Sequence, residues 1–231
     1  VRMSMLGYAV DIHKRDDISN SSLGYKFAAN AGGSSREEFV RSRPPVPPDG
    51  PGAEKYFTIH TFSAAHSRTL DPNKITRLSS TLKWVLTDDR LPPAKMTPFG
   101  GMYSVRGYRE YETIADGGFL GSVQYEFDLV RYDKINGVSK QETEKADKAQ
   151  SKKFGLKKLA PLAFLDFGRT DITDPVDSEK AHQTFVSIGP GVTAEIGDNF
   201  SAGLYWGIAL RSTERTDAGD NRVNVTLMAR W

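Results

Sequence analysis

The chain has 231 residues, 38% hydrophobic and 26% charged, with a mean hydropathy of −0.48 and a formal net charge of +2. A balance so near zero excludes a broad nucleic-acid-binding surface, and the absence of cysteine excludes disulfides and thiolate metal sites. No apolar run approaches the roughly 18 residues of a membrane helix, yet a barrel needs only alternate residues to be apolar and shows low mean hydropathy.

From the N-terminus, Val1-Arg2-Met3-Ser4 is already strand-like and carries no leader pattern, so the sequence reads as the C-terminal part of a longer chain, lacking its N-terminal start. Strands are predicted at 2–15 and 22–32, joined by the short connection Asp16–Ser21. A long connection, 33–55, follows and contains Pro44-Pro45-Val46-Pro47-Pro48-Asp49-Gly50. The strand at 56–69 turns at Leu70–Ile75, through Asp71-Pro72-Asn73, into a strand where Leu78, Leu82, Trp84 and Leu86 alternate with Arg77, Ser79, Thr81 and Lys83.

After the long segment 89–117, Phe119, Val123, Tyr125 and Phe127 alternate with Ser122, Gln124, Glu126 and Asp128. Residues 130–160 interrupt the pattern: Arg131 to Lys158 holds nine Lys or Arg against four Asp or Glu, a solvated or partly helical insertion. A strand at 161–169, a long connection at 170–183 and a strand at 184–196 come next. Gly197-Asp198-Asn199 then makes a tight hairpin signal. Phe200, Ala202, Leu204, Trp206 and Ile208 alternate with the polar or small Ser201, Gly203, Tyr205, Gly207 and Ala209. After 212–221, Val223, Val225, Leu227, Ala229 and Trp231 alternate with polar neighbours.

Such period-two runs give each strand one apolar and one polar face. The fold class is therefore all-β and antiparallel, with about nine strands. Apart from 130–160, short turns fall on one side and the four long connections on the other, as in an up-and-down outer-membrane barrel. Alternation alone does not say whether the apolar faces meet lipid or a protein core.

Two motifs are more specific. Val105-Arg106-Gly107-Tyr108 lies within the long segment 89–117, and Phe164-Leu165-Asp166-Phe167-Gly168 follows one strand later. Together they resemble the C-terminal barrels of the haemolysin-secretion/activation (two-partner-secretion) transporters, in the superfamily that includes the barrel-assembly insertases. The resemblance implies that 89–117 is an external loop folding back into a transmembrane barrel of sixteen strands preceded by POTRA domains. About nine strands and no POTRA-like segment are read here. It further implies that Arg106 contacts Asp166 on the inner wall, where a carboxylate binds a guanidinium bidentately. Gly107 frees the loop tip, Gly168 leaves room for its approach to the wall, and Glu126 is a second candidate acceptor. Phe164 shares the wall face with Asp166, and Tyr108 packs within the lumen. Trp231, ending an alternating strand, resembles the sorting signal of barrel precursors.

By the same resemblance the protein exports an exoprotein across the outer membrane of a Gram-negative-type bacterium. Its partners are that polypeptide, outer-membrane lipid and, during biogenesis, the barrel-assembly machinery. An assembly insertase and a passive porin are the competing readings. No cofactor or metal is expected: His13, His60, His66 and His182 are scattered, and the acids Asp171, Asp174, Asp177 and Glu179 read as a solvated loop without calcium-loop spacing. Neither Ser104 nor Ser187 has a neighbouring histidine for a nucleophilic triad, and no enzyme is read.

Overall fold

A computed structural model of the chain describes residues 2–32, 34–43, 52–136, 155–177 and 179–230. The proline run at 44–48, most of the charged insertion (137–154) and Trp231, with its expected sorting role, lie outside the described residues.

In chain order the elements are β1 (Met5–Arg15), β2 (Ser19–Asn30), α1 (Arg36–Ser42), β3 (Thr58–Thr69), β4 (Thr76–Leu86), β5 (Thr97–Phe99), β6 (Thr113–Ala115), β7 (Gly117–Phe127), α2 (Leu129–Asn136), β8 (Leu156–Asp171), β9 (His182–Ile196), β10 (Phe200–Ala209) and β11 (Asn221–Ala229). Nine strands form one antiparallel sheet in the order β1-β2-β3-β4-β7-β8-β9-β10-β11, while β5 and β6 pair as a separate hairpin within the long loop. Each large strand pairs with its sequence neighbour, so the sheet is an up-and-down barrel sector. It is not closed: among the described residues β1 and β11 are its two ends.

The elements depart from the sequence expectation in length. β2 starts at Ser19, not at residue 22, which shrinks the first turn to three residues. β8 runs for 16 residues, from Leu156, well before the expected start at 161. Pro161 and the charged pair Lys157-Lys158 hide its period in the sequence, but β9 supplies partners along its whole length. The long connections also contain α1 and the β5–β6 hairpin, and part of the charged insertion forms α2; each is too short to carry a readable period. The Asp71 turn follows its chemistry. Its carboxylate accepts the Ile75 N–H (3.0 Å), the Thr76 N–H (2.6 Å) and the Thr76 hydroxyl (2.6 Å), and these donors hold its pKa down to about 2.

The two sheet faces settle what alternation left open. Apolar side chains stand on the outer face and stay exposed, Leu6 at 69% and Leu227 at 81%, with Val10, Trp84, Tyr125, Leu165, Leu204 and Trp206 between them. The inner face buries Asp166 and Ser187 completely. A soluble sandwich would do the reverse.

The outer apolar band is also oblique to the strand pairing. One rung runs Lys14, Ser21, His66, Ser80, then Val123, Leu165, Ile188, Ile208 and finally Asn221: polar on β1–β4, apolar on β7–β10, and polar again on β11. On β1 the band occupies Leu6 to Ile12 and on β11 Val223 to Ala229, a shift of ten residues traced through the registers. Ten residues at ~3.3 Å, over eight interstrand steps of ~4.8 Å, put the band about 40° off the rungs. That is the strand tilt of a transmembrane barrel. The face is built to meet a lipid slab.

Candidate functional site

The buried core lies inside the sheet, at the end carrying the long loops. The segment between β4 and β7 turns inward there, and Val105, Phe99, Tyr108 and Ala115 from it pack against Phe185 of β9 and Ala209 of β10. The Tyr108 ring meets Phe185 edge-on at 5.0 Å, and Phe99 stacks on Phe185 at 6.0 Å.

Arg106 sits at the centre of this packing. Its Nε donates to Asp166 Oδ2 (2.7 Å), its Nη2 to Asp166 Oδ1 (2.7 Å), and its backbone N–H to the same carboxylate (3.0 Å). The remaining donors reach Gln124 Oε1 (2.9 Å) and Ser122 Oγ (3.1 Å), both on the inner face of β7. Ser122 Oγ in turn donates to Asp166 Oδ1 at 2.6 Å. The guanidinium carbon lies 3.6 Å from the Phe164 ring centroid and 5.1 Å from that of Tyr205, a cation–π sandwich. The two charged side chains are 9% and 1% exposed. A buried pair of this kind is tolerated only when its polar atoms are satisfied, and here the wall supplies them.

Tyr108 extends the contact to the next two strands. Its hydroxyl lies 2.8 Å from Arg211 O and 3.0 Å from Val186 O, and accepts the N–H groups of Val186 (3.2 Å) and Arg211 (3.3 Å). The loop thus holds both β7–β8 and β9–β10. The pairing of β9 with β10 skips Trp206 and Gly207, opposite Pro190 and Gly189, and there the loop backbone rests. Gly107 has φ +101, and a Cβ on Gly207 would stand 2.5 Å from Gly107 N and 2.6 Å from the Arg106 carbonyl carbon.

Three expectations need correction. Glu126 is not an acceptor for Arg106: it lies two residues beyond Gln124, accepts from Gln124 Nε2 (2.7 Å) and pairs with Lys158 (2.9 Å). It faces the lumen as alternation required, but too far along the strand. Gly168 is constrained mainly by β7, since a Cβ there would meet Leu120 Cδ2 at 2.9 Å and Phe119 O at 3.0 Å, with Val105 at an ordinary 3.5 Å. The tight backbone approach is at Gly207. Glu179 also leaves the solvated-loop description, being tied into the ion network described next.

A second polar cluster closes the long-loop end. Asp116, fully buried before β7, accepts from Arg43 (2.5 Å) after α1, from the Leu91 N–H (2.8 Å) and from the Thr173 N–H (3.0 Å). Arg90 makes a bidentate contact to Glu179 at 2.7 and 3.0 Å, and Arg43 reaches Glu179 at 3.1 Å. These contacts gave no signal in the sequence, because the partners come from separate loops. Burial by itself raises the Glu179 carboxyl, but the Arg90 bond, the Val176 N–H and Arg43 outweigh it and hold its pKa below the ordinary value. With the folded value depressed, this contribution is complete above the unfolded pKa, near 4.3, and is lost as pH falls through the folded one. Hydrogen exchange in segment 34–43, corrected for intrinsic rate, should therefore accelerate as pH falls below about 4.3 and through the depressed folded value. Unchanged protection would remove Glu179 from the closure.

Among the described residues no three His, Asp or Glu side chains converge as metal ligands. The site can grip a loop inside a polar lumen.

Comparison with known proteins agrees with this picture. The family model described as haemolysin secretion/activation protein ShlB/FhaC/HecB matches residues 9–130, just over half of the chain, including the Arg106 loop but not β8. No curated protein matches the sequence. The fold is similar to that of CdiB from Escherichia coli, with TM-score 0.66 and 14% identity over 98% of this chain and 37% of that one. It is also similar to the crystal structure of BamA from Haemophilus ducreyi lacking POTRA domains 1-3, with TM-score 0.50 and 9% identity over 97% of this chain and 54% of that one. The chain spans about a third of the first structure's length and about half of the second's.

Proposed function

The chain belongs to the haemolysin secretion/activation protein ShlB/FhaC/HecB family, and from that membership we propose that it is the C-terminal barrel portion of a two-partner secretion transporter. In this reading it sits in the outer membrane of a Gram-negative-type bacterium and passes a haemolysin- or adhesin-like exoprotein through the barrel lumen. The exoprotein and outer-membrane lipid are its partners in action, and the barrel-assembly machinery places it in the membrane.

One observation carries the reading: an external loop folds back and sets Arg106 on Asp166 within a wall whose outer face is an oblique apolar band. A passive pore needs no such latched segment, whereas a conduit for polypeptide needs an element that seals the lumen at rest and yields to a chain. The polypeptide would travel extended, since a folded domain exceeds a barrel lumen lined by side chains. Gln124, Glu126 and Lys158 on the inner wall offer hydrogen-bonding and charged groups to a passing chain.

The test is removal of the gene from its host, with comparison of culture medium and outer membrane by quantitative proteomics. Loss of one or a few large exoproteins from the medium, with other outer-membrane barrels unchanged, is the expected result. Depletion of many barrels would instead point to an assembly insertase, and no change in either fraction to a passive porin.

A further inference from the structure

The Arg106–Asp166 pair holds one side of the reentrant loop; the loop leaves the lumen on the other side, at Arg109–Glu112. Glu112 is 5% exposed, and its carboxylate is filled by donors from the external β10–β11 connection. Oε1 accepts from Thr213 Oγ1 (2.5 Å) and the Arg215 N–H (3.0 Å), and Oε2 from Thr216 Oγ1 (2.8 Å) and the Arg109 N–H (3.3 Å). Thr216 is itself buried, and Thr213 N–H closes its turn onto Thr216 O at 2.8 Å, so one preformed turn presents both hydroxyls. In return Arg215 Nη1 donates to Tyr111 O at 3.3 Å. The loop side is equally shaped. Tyr111 has φ +51, and a Cβ on Gly100 (φ +93) would stand 2.5 Å from both Glu112 Cβ and Arg109 O.

A buried carboxylate receiving four neutral donors and, among the described residues, no cation contact in its first layer is a fixed hydrogen-bonding socket; truncating it leaves those donors unpaired. We propose that Glu112 is a second anchor of the reentrant loop, through which the exposed β10–β11 connection holds the loop inside the barrel independently of Arg106. Glu112 is a positioning residue in this scheme. The connection that grips it also carries the exposed Arg215, Asp217 and Ala218, so it is a handle on the lumenal loop reachable from outside. The inference rests on the transporter reading for its purpose, but not for its test.

The test uses the full-length protein, in intact cells and in planar lipid bilayers without any client. Four variants are compared with wild type: Asp166→Ala, Glu112→Ala, their double, and Thr216→Val, which removes one donor while keeping the carboxylate. Heat-modifiable gel mobility confirms that each barrel has folded. Both Glu112→Ala and Thr216→Val should raise the time spent in high-conductance states several-fold and loosen the turn so that external trypsin cleaves after Arg215, which is exposed but held in the wild type. The double variant should open more than either single variant. Wild-type conductance and wild-type trypsin resistance in both Glu112→Ala and Thr216→Val overturn the proposal. So does a double variant no more open than Asp166→Ala, which would show that the anchor is not independent. If Glu112→Ala fails to fold, Thr216→Val alone decides. Because no exoprotein is involved, a failed secretion assay and a failed anchor are separate results.

Discussion

Replacing Arg106 by alanine is expected to release the loop from the wall and to abolish export, although the barrel still folds. The change strips Asp166, buried at 0% exposure, of its two guanidinium donors and leaves the Ser122 hydroxyl and the residue-106 backbone N–H as its remaining partners. The backbone N–H of residue 106 survives the substitution only if the loop stays in place. Breaking one side of a buried ion pair costs about 3–5 kcal/mol, mostly because the surviving charge is left uncompensated. Phe164 and Tyr205 lose the cation between them as well. Arg106→Lys should recover only part of the function, since an ammonium cannot make the bidentate contact and still reach Gln124 and Ser122.

Asp166→Ala should give the same phenotype, and the double variant should cost less than the sum of the two, because the second change removes the charge that the first one stranded. Limited proteolysis of loop 89–117, run beside a secretion assay, reads both consequences. Wild-type export from an Arg106→Ala protein with a protected loop would refute the latch.

The second large effect is predicted at a residue with no side chain. Gly207→Ala puts a methyl carbon 2.5 Å from Gly107 N, 2.6 Å from the Arg106 carbonyl carbon and 2.9 Å from its oxygen. All three are backbone atoms held by the latch, so no flexible side chain can swing aside. Overpacking against mobile neighbours costs about 1–3 kcal/mol; here the simpler relief is for the whole loop to lift from the wall. We expect Gly207→Ala to reproduce the Arg106→Ala phenotype, and Gly207→Val to exceed it. Gly155→Ala, at a site with nothing among the described residues within 4 Å, is the control and should behave as wild type. Normal export by Gly207→Val would mean that the loop does not rest on β10 in the working protein.

These two residues illustrate how legibility divides. Arg106 announces itself through the motif around it, and its acceptor Asp166 through a second motif one strand later. Gly207 was legible only as one of several small residues on the inner face of β10, indistinguishable there from Gly203. What sets it apart is that the loop tip lands on it, at the rung where pairing with β9 is interrupted. Glu126 failed for a related reason. Its face was right, but the register places Gln124 and Ser122, not Glu126, beside the guanidinium. Its real partner, Lys158, was hidden at the edge of the charged insertion. Glu112, Arg43, Arg90 and Asp116 gave no warning, because they meet across sequence separations of up to 136 residues between segments without a period.

The order of residues therefore determined the strands, the face each side chain takes, and the ends at which long and short connections gather, because two-residue alternation and turn chemistry act between near neighbours. Tertiary structure decided which inward residues meet, how the apolar band slants around the wall and where the loop returns. Those outcomes depend on interstrand register and on contacts between distant segments, and neither is a local property of the chain.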